Sequence, residues 1–167
     1  PDKLRGFAME YYDGYLYLFG GQDSARKNKN AMYRYDIGKN KWEIVKTKGK
    51  PPGERCYHEM SLINKHNFVV FGGVKGSLPL IETYYDDIFL YNVTEEIWVE
   101  PVIGGIMPNP RLFFSLCCNY NYEKMEVIIL GGHIKDNDNV KHVKIFTLMQ
   151  NGIKKFIQNS IQRTIGQ

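Results

Sequence analysis

The sequence predicts an all-β fold assembled from repeats of a four-stranded antiparallel unit, and three observations predict it. First, three double glycines close apolar runs: Leu18-Phe19-Gly20-Gly21, Val70-Phe71-Gly72-Gly73 and Ile129-Leu130-Gly131-Gly132. Second, Met32-Tyr33-Arg34-Tyr35 corresponds to Ile88-Phe89-Leu90-Tyr91 at an offset of 56 residues. Trp42 and Trp98, Pro52 and Pro108, and Arg55 and Arg111 share that offset without a gap. Third, the chain is 14% aromatic and holds 16 glycines, a mixture suited to strands and tight turns rather than to a helical bundle.

The elements follow in order. Phe7–Tyr11 and Tyr15–Phe19 flank Asp13-Gly14, a two-residue hairpin signal, and Gly20-Gly21 ends the second strand. Met32–Ile37 and Trp42–Val45 complete the first unit. The second unit reads as Tyr57–Ile63, Phe68–Phe71, Ile88–Val93 and Ile97–Val102. The third reads as Leu112–Cys118, Val127–Leu130 and Val143–Leu148, and Phe156 stands nearest to the place of its missing tryptophan. These give units of 5–46, 55–102 and 111–158, with 159–167 as a linker or tail. Ile153, Phe156, Ile157 and Ile161 also fit helical spacing, so the tail reads either as a short amphipathic helix or, in preference, as a degraded strand followed by a linker.

Composition excludes several classes. No apolar run approaches the ~20 residues of a membrane-spanning helix. Three cysteines, Cys56, Cys117 and Cys118, lack the spacing of a disulfide framework, so a reducing, cytoplasmic setting with buried structural thiols is expected. The chain starts at Pro1 rather than Met, which leaves its natural start open. The net charge of +4 is small, but it is unevenly placed. Residues 22–55 carry ten basic side chains against four acids, whereas residues 76–110 carry six acids and no Lys or Arg. Two solvated faces or a patterned binding surface both explain this.

Apolar residues before Gly-Gly, a strand carrying tyrosine, a tryptophan, and Pro-x-x-Arg ahead of the next unit resemble the Kelch repeat, over roughly Arg5 to Leu148. The long linkers Pro51-Pro52-Gly53-Glu54-Arg55 and Pro108-Asn109-Pro110-Arg111 are similar to the longer-repeat, host-cell-factor-like members. The resemblance implies that each unit is one blade of a β-propeller, usually of six or seven blades. Three blades make a partial propeller, and open blade faces and strand edges are an aggregation liability. Further blades of the same protein, or self-association, are therefore expected to complete the ring. Gly20, Gly21, Gly72, Gly73, Gly131 and Gly132 are then repeat glycines. Trp42 and Trp98 fill inter-blade space, and Tyr35 and Tyr91 pack with their hydroxyls satisfied locally.

The same resemblance implies a protein-interaction module, an adaptor or scaffold without catalytic residues or cofactor. Binding would use the loops between second and third strands (22–30, 74–87, 133–142) and between blades (46–54, 103–110). Arg26, Lys27 and Lys29 would then neighbour Lys46, Lys48 and Lys50, with Tyr84, Tyr85, Asp86 and Asp87 on the next blade. An acidic segment of a protein partner would meet the basic loops. Arg55 and Arg111 have two readings: hydrogen bonding between blades, or gripping a ligand carboxylate from the central opening, an ambiguity Tyr57 and His58 share. Nucleic acid is the weaker partner class, because no aromatics interleave the basic loops. Two alternatives stay open. One is a regulatory or substrate-recruiting domain of a larger multidomain enzyme. The other, less favoured, is a propeller-type metal enzyme, for which no cluster of residues marks the ligands. Separately, His133 and His142 share a predicted loop with Asp136 and Asp138, all of them metal-donor types, and a solvated loop without a metal is the preferred reading there.

Overall fold

The computed structural model of the chain describes residues 1, 3–102, 107–120, 125–134 and 143–148. Every element among them is a β-strand. The first sheet has the order β1-β2-β3-β4, from Ala8–Tyr12, Tyr15–Phe19, Met32–Asp36 and Lys41–Ile44. The second sheet is built in the same sense from β5 (Glu59–Leu62), β6 (Asn67–Phe71), β9 (Ile88–Asn92) and β10 (Ile97–Val99). The third pairs β11 (Ser115–Tyr120), β12 (Met125–Leu130) and β13 (Val143–Leu148). A separate hairpin, β7 (Val74–Ser77) with β8 (Leu80–Tyr84), occupies the stretch expected to be a loop. The fourth strand sought near Phe156, the tail 159–167 and residues 135–142 lie outside the described residues.

Each blade starts one to three residues later than expected, for one reason. Gly6, Tyr57 and Phe113, at equivalent positions, all have positive φ (61°, 58° and 54°), so the chain kinks before the innermost strand begins. The Tyr57 ring packs on Phe113 in the next blade, centroids 4.7 Å apart, and the Tyr57 amide donates to the Gly6 carbonyl at 2.7 Å.

Blade two is the filling of a sandwich. All five residues of β6 and all five of β9 are buried, because alternate side chains face opposite neighbours. Phe68, Val70, Phe89, Tyr91 and Trp98 meet Tyr17, Phe19 and Met32 of blade one. Val69, Phe71, Ile88, Leu90 and Ile97 meet Phe114, Met125, Val127 and Ile129 of blade three. Trp98 fills the first seam as expected, with its ring 4.8 Å from that of Phe19.

Trp42 does not fill a seam. It is 36% exposed against 3% for Trp98, because its side of blade one has no described neighbour. Its ring packs on Tyr35, at 5.1 Å, and Met9, Tyr11 and Ile44 of the same blade are also exposed. The Tyr35 hydroxyl donates locally to Asn40 Oδ1. Tyr91 differs from expectation: among the described residues its buried hydroxyl has no hydrogen-bond partner, and neither does Trp98 Nε1.

Truncating the two tryptophans of this chain separates the faces. Trp98→Ala is expected to cost about 3–5 kcal/mol by denaturant unfolding, in the range for a buried aromatic. Trp42→Ala should cost less than half of that, and equal losses would contradict the asymmetry.

Candidate functional site

Among the described residues Arg55 and Arg111 are the largest fully buried side chains, and their partners are within the protein. Arg55 donates from Nε to the Gly53 carbonyl (3.1 Å) and from a terminal nitrogen to the Gly72 carbonyl (3.0 Å). Its two terminal nitrogens hold the Asp87 carboxylate at 2.6 and 2.8 Å, and its guanidinium lies 4.0 Å from the centre of the Tyr85 ring. Arg111 repeats the backbone pair, to the Asn109 and Gly131 carbonyls at 3.0 and 2.9 Å, and burial lowers its pKa. The carbonyl of Arg55 accepts from the Gly21 amide of the preceding blade at 2.8 Å, and that of Arg111 accepts from Gly73 at 2.8 Å. Each arginine thus ties the glycine pair of one blade to that of the next.

The glycines are required by contact as well as by conformation. At Gly72, with φ +69°, an added Cβ would lie 3.0 Å from the Arg111 carbonyl oxygen. At Gly73, with φ +84°, it would lie 2.7 Å from the Cys56 carbonyl oxygen, so neither position admits a side chain. Gly20 and Gly21 repeat the arrangement one blade earlier.

His58 is buried in the same seam. Its ring meets Phe19 edge-on at 5.3 Å, as Phe114 meets Phe71 at 5.5 Å one blade on. Among the described residues neither ring nitrogen makes a hydrogen bond of normal geometry. Burial, helped by the charge of Arg55 and opposed by the Phe19 backbone, lowers its pKa to about 3. His58 is therefore a neutral packing ring.

The remaining expected site residues divide between two ends of the blades. Loop 22–30 and the β7–β8 hairpin follow the second strands and share one end. Arg26 and Lys27 are exposed there, and half-buried Lys29 pairs with Asp23 at 2.8 Å. Lys48 is elsewhere, a correction to its expected place beside them. Its amide donates to the Glu96 carbonyl (2.7 Å) and its carbonyl accepts from Trp98 N (2.9 Å), so it runs parallel to β10 at the β9–β10 turn, the opposite end of the sheet. Lys46 and Lys50 flank it, both exposed. Of the Tyr84–Asp87 group, Tyr85 and Asp87 serve Arg55, Tyr84 packs on the Cys56–Val74–Leu112 cluster, and Asp86 is exposed.

Two buried amides were not legible as functional. Gln22 accepts from Arg5 at 2.7 and 3.1 Å, and its Nε2 donates both to the Arg26 carbonyl (3.1 Å) and to the Gly76 carbonyl (2.9 Å). Asn28 accepts from the Gly76 amide at 2.8 Å and donates to Cys56 Sγ at 3.0 Å. Loop 22–30 of blade one therefore carries the hairpin of blade two. Isolated amides in a charged loop leave no periodic signal. The hairpin itself was marked, by the β-branched alternation around Ile81-Glu82-Thr83. Of the cysteines, Cys56 is buried as expected and burial raises its pKa, whereas Cys117 is exposed and Cys118 half-buried, with its pKa pushed up to about 12 by burial. Among the described residues no group of His, Cys, Asp and Glu is placed to hold a metal ion, and no helix is long and apolar enough to cross a membrane.

Stacked four-stranded sheets joined by a glycine–arginine seam define a β-propeller repeat protein. The family model of the KLHDC2/KLHL20/DRC7 Kelch-repeats domain matches residues 1–161, and the chain belongs to the Kelch-repeat family. It is similar to the Rab9 effector protein with kelch motifs of Xenopus laevis, 30% identical over 99 residues, covering 59% of this chain and 26% of that protein. Kelch domain-containing protein 10 of Xenopus tropicalis is 29% identical over 136 residues, covering 80% of this chain and 32% of its own length. Rho GTPase-activating protein gacHH of Dictyostelium discoideum is 28% identical over 117 residues, 66% of this chain and 7% of its own length. The chain thus spans a third or less of each of these relatives. Kelch domains are in general protein-interaction modules.

The buried histidine gives a pH test. The unfolded chain binds its proton near pH ~6.5 and the folded one only near 3, so protons favour unfolding between the two. The stability contribution is complete above pH ~6.5 and falls by about 1.4 kcal/mol per unit as pH drops toward 3. His58→Phe, which copies Phe114, should flatten the melting temperature between pH 6.5 and 5 without lowering it at pH 7.5. An unchanged pH slope would contradict the assignment.

Proposed function

We propose that the chain is part of a non-catalytic adaptor or scaffold of the cytoplasm that binds a protein partner at the blade end carrying loop 22–30 and the β7–β8 hairpin. The observation that carries this is the division of labour at that end. Arg55, Tyr85 and Asp87 are consumed by the seam, while Arg26 and Lys27 are exposed on a loop that Gln22 and Asn28 tie to the hairpin, and Asp86 is exposed in the stretch after it. Loops held rigidly by a scaffold are where recognition concentrates. Further blades of the same protein, or a second copy, complete the ring against the exposed Trp42 face.

A second reading has its own support: the chain matches only 7% of a Rho GTPase-activating protein, so the propeller can serve as the recruiting domain of a larger enzyme. Sequence flanking the chain separates the two. The binding end is tested by capture of partners from cell extract, identified by mass spectrometry. Arg26→Glu with Lys27→Glu should deplete the specific set, and Lys46→Glu with Lys48→Glu should leave it intact. The reverse result would place recognition at the other end. Steeply salt-dependent binding of generic DNA or RNA would favour a nucleic-acid partner instead.

A further inference from the structure

Between loop 22–30 and the tip of the β7–β8 hairpin lies a cleft of about 340 Å³. Its charged wall holds Arg26 and Lys27, and its apolar lip holds Leu78 and Leu80, the latter 81% exposed. Lys75 and Glu82 also line it and pair with each other at 3.4 Å, which leaves Glu54 as the one other acid there. Among the described residues neither Arg26 nor Lys27 forms an ion pair through its side chain.

Three features mark the cleft as built rather than left over. The same Gln22 amide nitrogen holds the Arg26 carbonyl on one wall and the Gly76 carbonyl on the other, so one buried side chain sets the spacing of the walls. Asn28, also buried, fixes the Gly76 amide from the same side. Arg26 itself has φ +62°, a left-handed conformation that arginine adopts less readily than glycine, and the chain holds a cationic side chain there against local preference.

We propose that this cleft binds an extended acidic–apolar segment of a partner protein. A carboxylate of the segment is held by the Arg26 guanidinium, with Lys27 adding charge, and a neighbouring aliphatic side chain lies on Leu78 and Leu80. Arginine matches a carboxylate through two parallel hydrogen bonds, and exposed leucines at the lip gain by being covered. Walls fixed in advance by Gln22 and Asn28 reduce the ordering cost of binding. This rests on the interaction-module reading and specifies its ligand.

The test is selection of a phage-displayed random 12-residue peptide library on the full chain, followed by fluorescence anisotropy of the synthesised hits. Hits should combine Asp or Glu with Leu, Ile or Met within a few residues. Arg26→Gly should weaken them at least tenfold while holding or raising the melting temperature, and Leu80→Glu should weaken them similarly. Hits lacking acids, or bound equally by Arg26→Gly, overturn the proposal. Hits retained by both variants but lost on Asp86→Lys overturn the cleft while leaving the interaction module standing. Enrichment of no peptide overturns both.

Discussion

The structure depends on one repeated contact: in the first two glycine pairs, the second glycine donates its amide to the carbonyl of the arginine that opens the next blade. Gly21 bonds Arg55 and Gly73 bonds Arg111, both at 2.8 Å. The arginine side chain then turns to the first glycine of its own blade, Gly72 or Gly131. Backbone and side chain of one residue therefore register two sheets. A buried guanidinium without partners would be strongly destabilising, and here the surrounding carbonyls supply them. Arg55 adds Asp87 and Tyr85, which is why an acid and an aromatic that look available for a partner are not.

From that registration the packing follows. Blade two is buried on both faces because the seam repeats on each side of it. Blade one shows what one missing neighbour does: Met9, Tyr11 and Trp42 occupy positions equivalent to Met60, Leu62 and Trp98, yet remain exposed where the latter pack. Apolar and aromatic side chains at the same repeat positions thus differ in burial because of what stands next to them. The loop end is rigid for a related reason, since the Cys56–Val74 bridge that follows Arg55 leads directly into the hairpin.

Much of this was legible in the sequence. The Gly-Gly marks located the ends of β2, β6 and β12, and the offset joining Trp42 to Trp98 located β4 and β10. Strand starts were less legible, since left-handed Tyr57 and Phe113 carry no compositional sign of their φ. Loop geometry was least legible. The resemblance placed Lys48 beside Arg26, but the linker's parallel pairing with β10, a long-range backbone contact, carries it to the far end. Gln22 and Asn28 were invisible because their roles arise only when two blades meet.

Native-state hydrogen exchange at two amides tests the central claim most directly. If the glycine–arginine seam registers the blades, the Gly21 and Gly73 amide protons exchange only with global unfolding, at the free energy of the central β6 amides. Exchange at those glycines by local opening, several-fold faster than β6 and independent of denaturant, would show that the blades are held by side-chain packing alone.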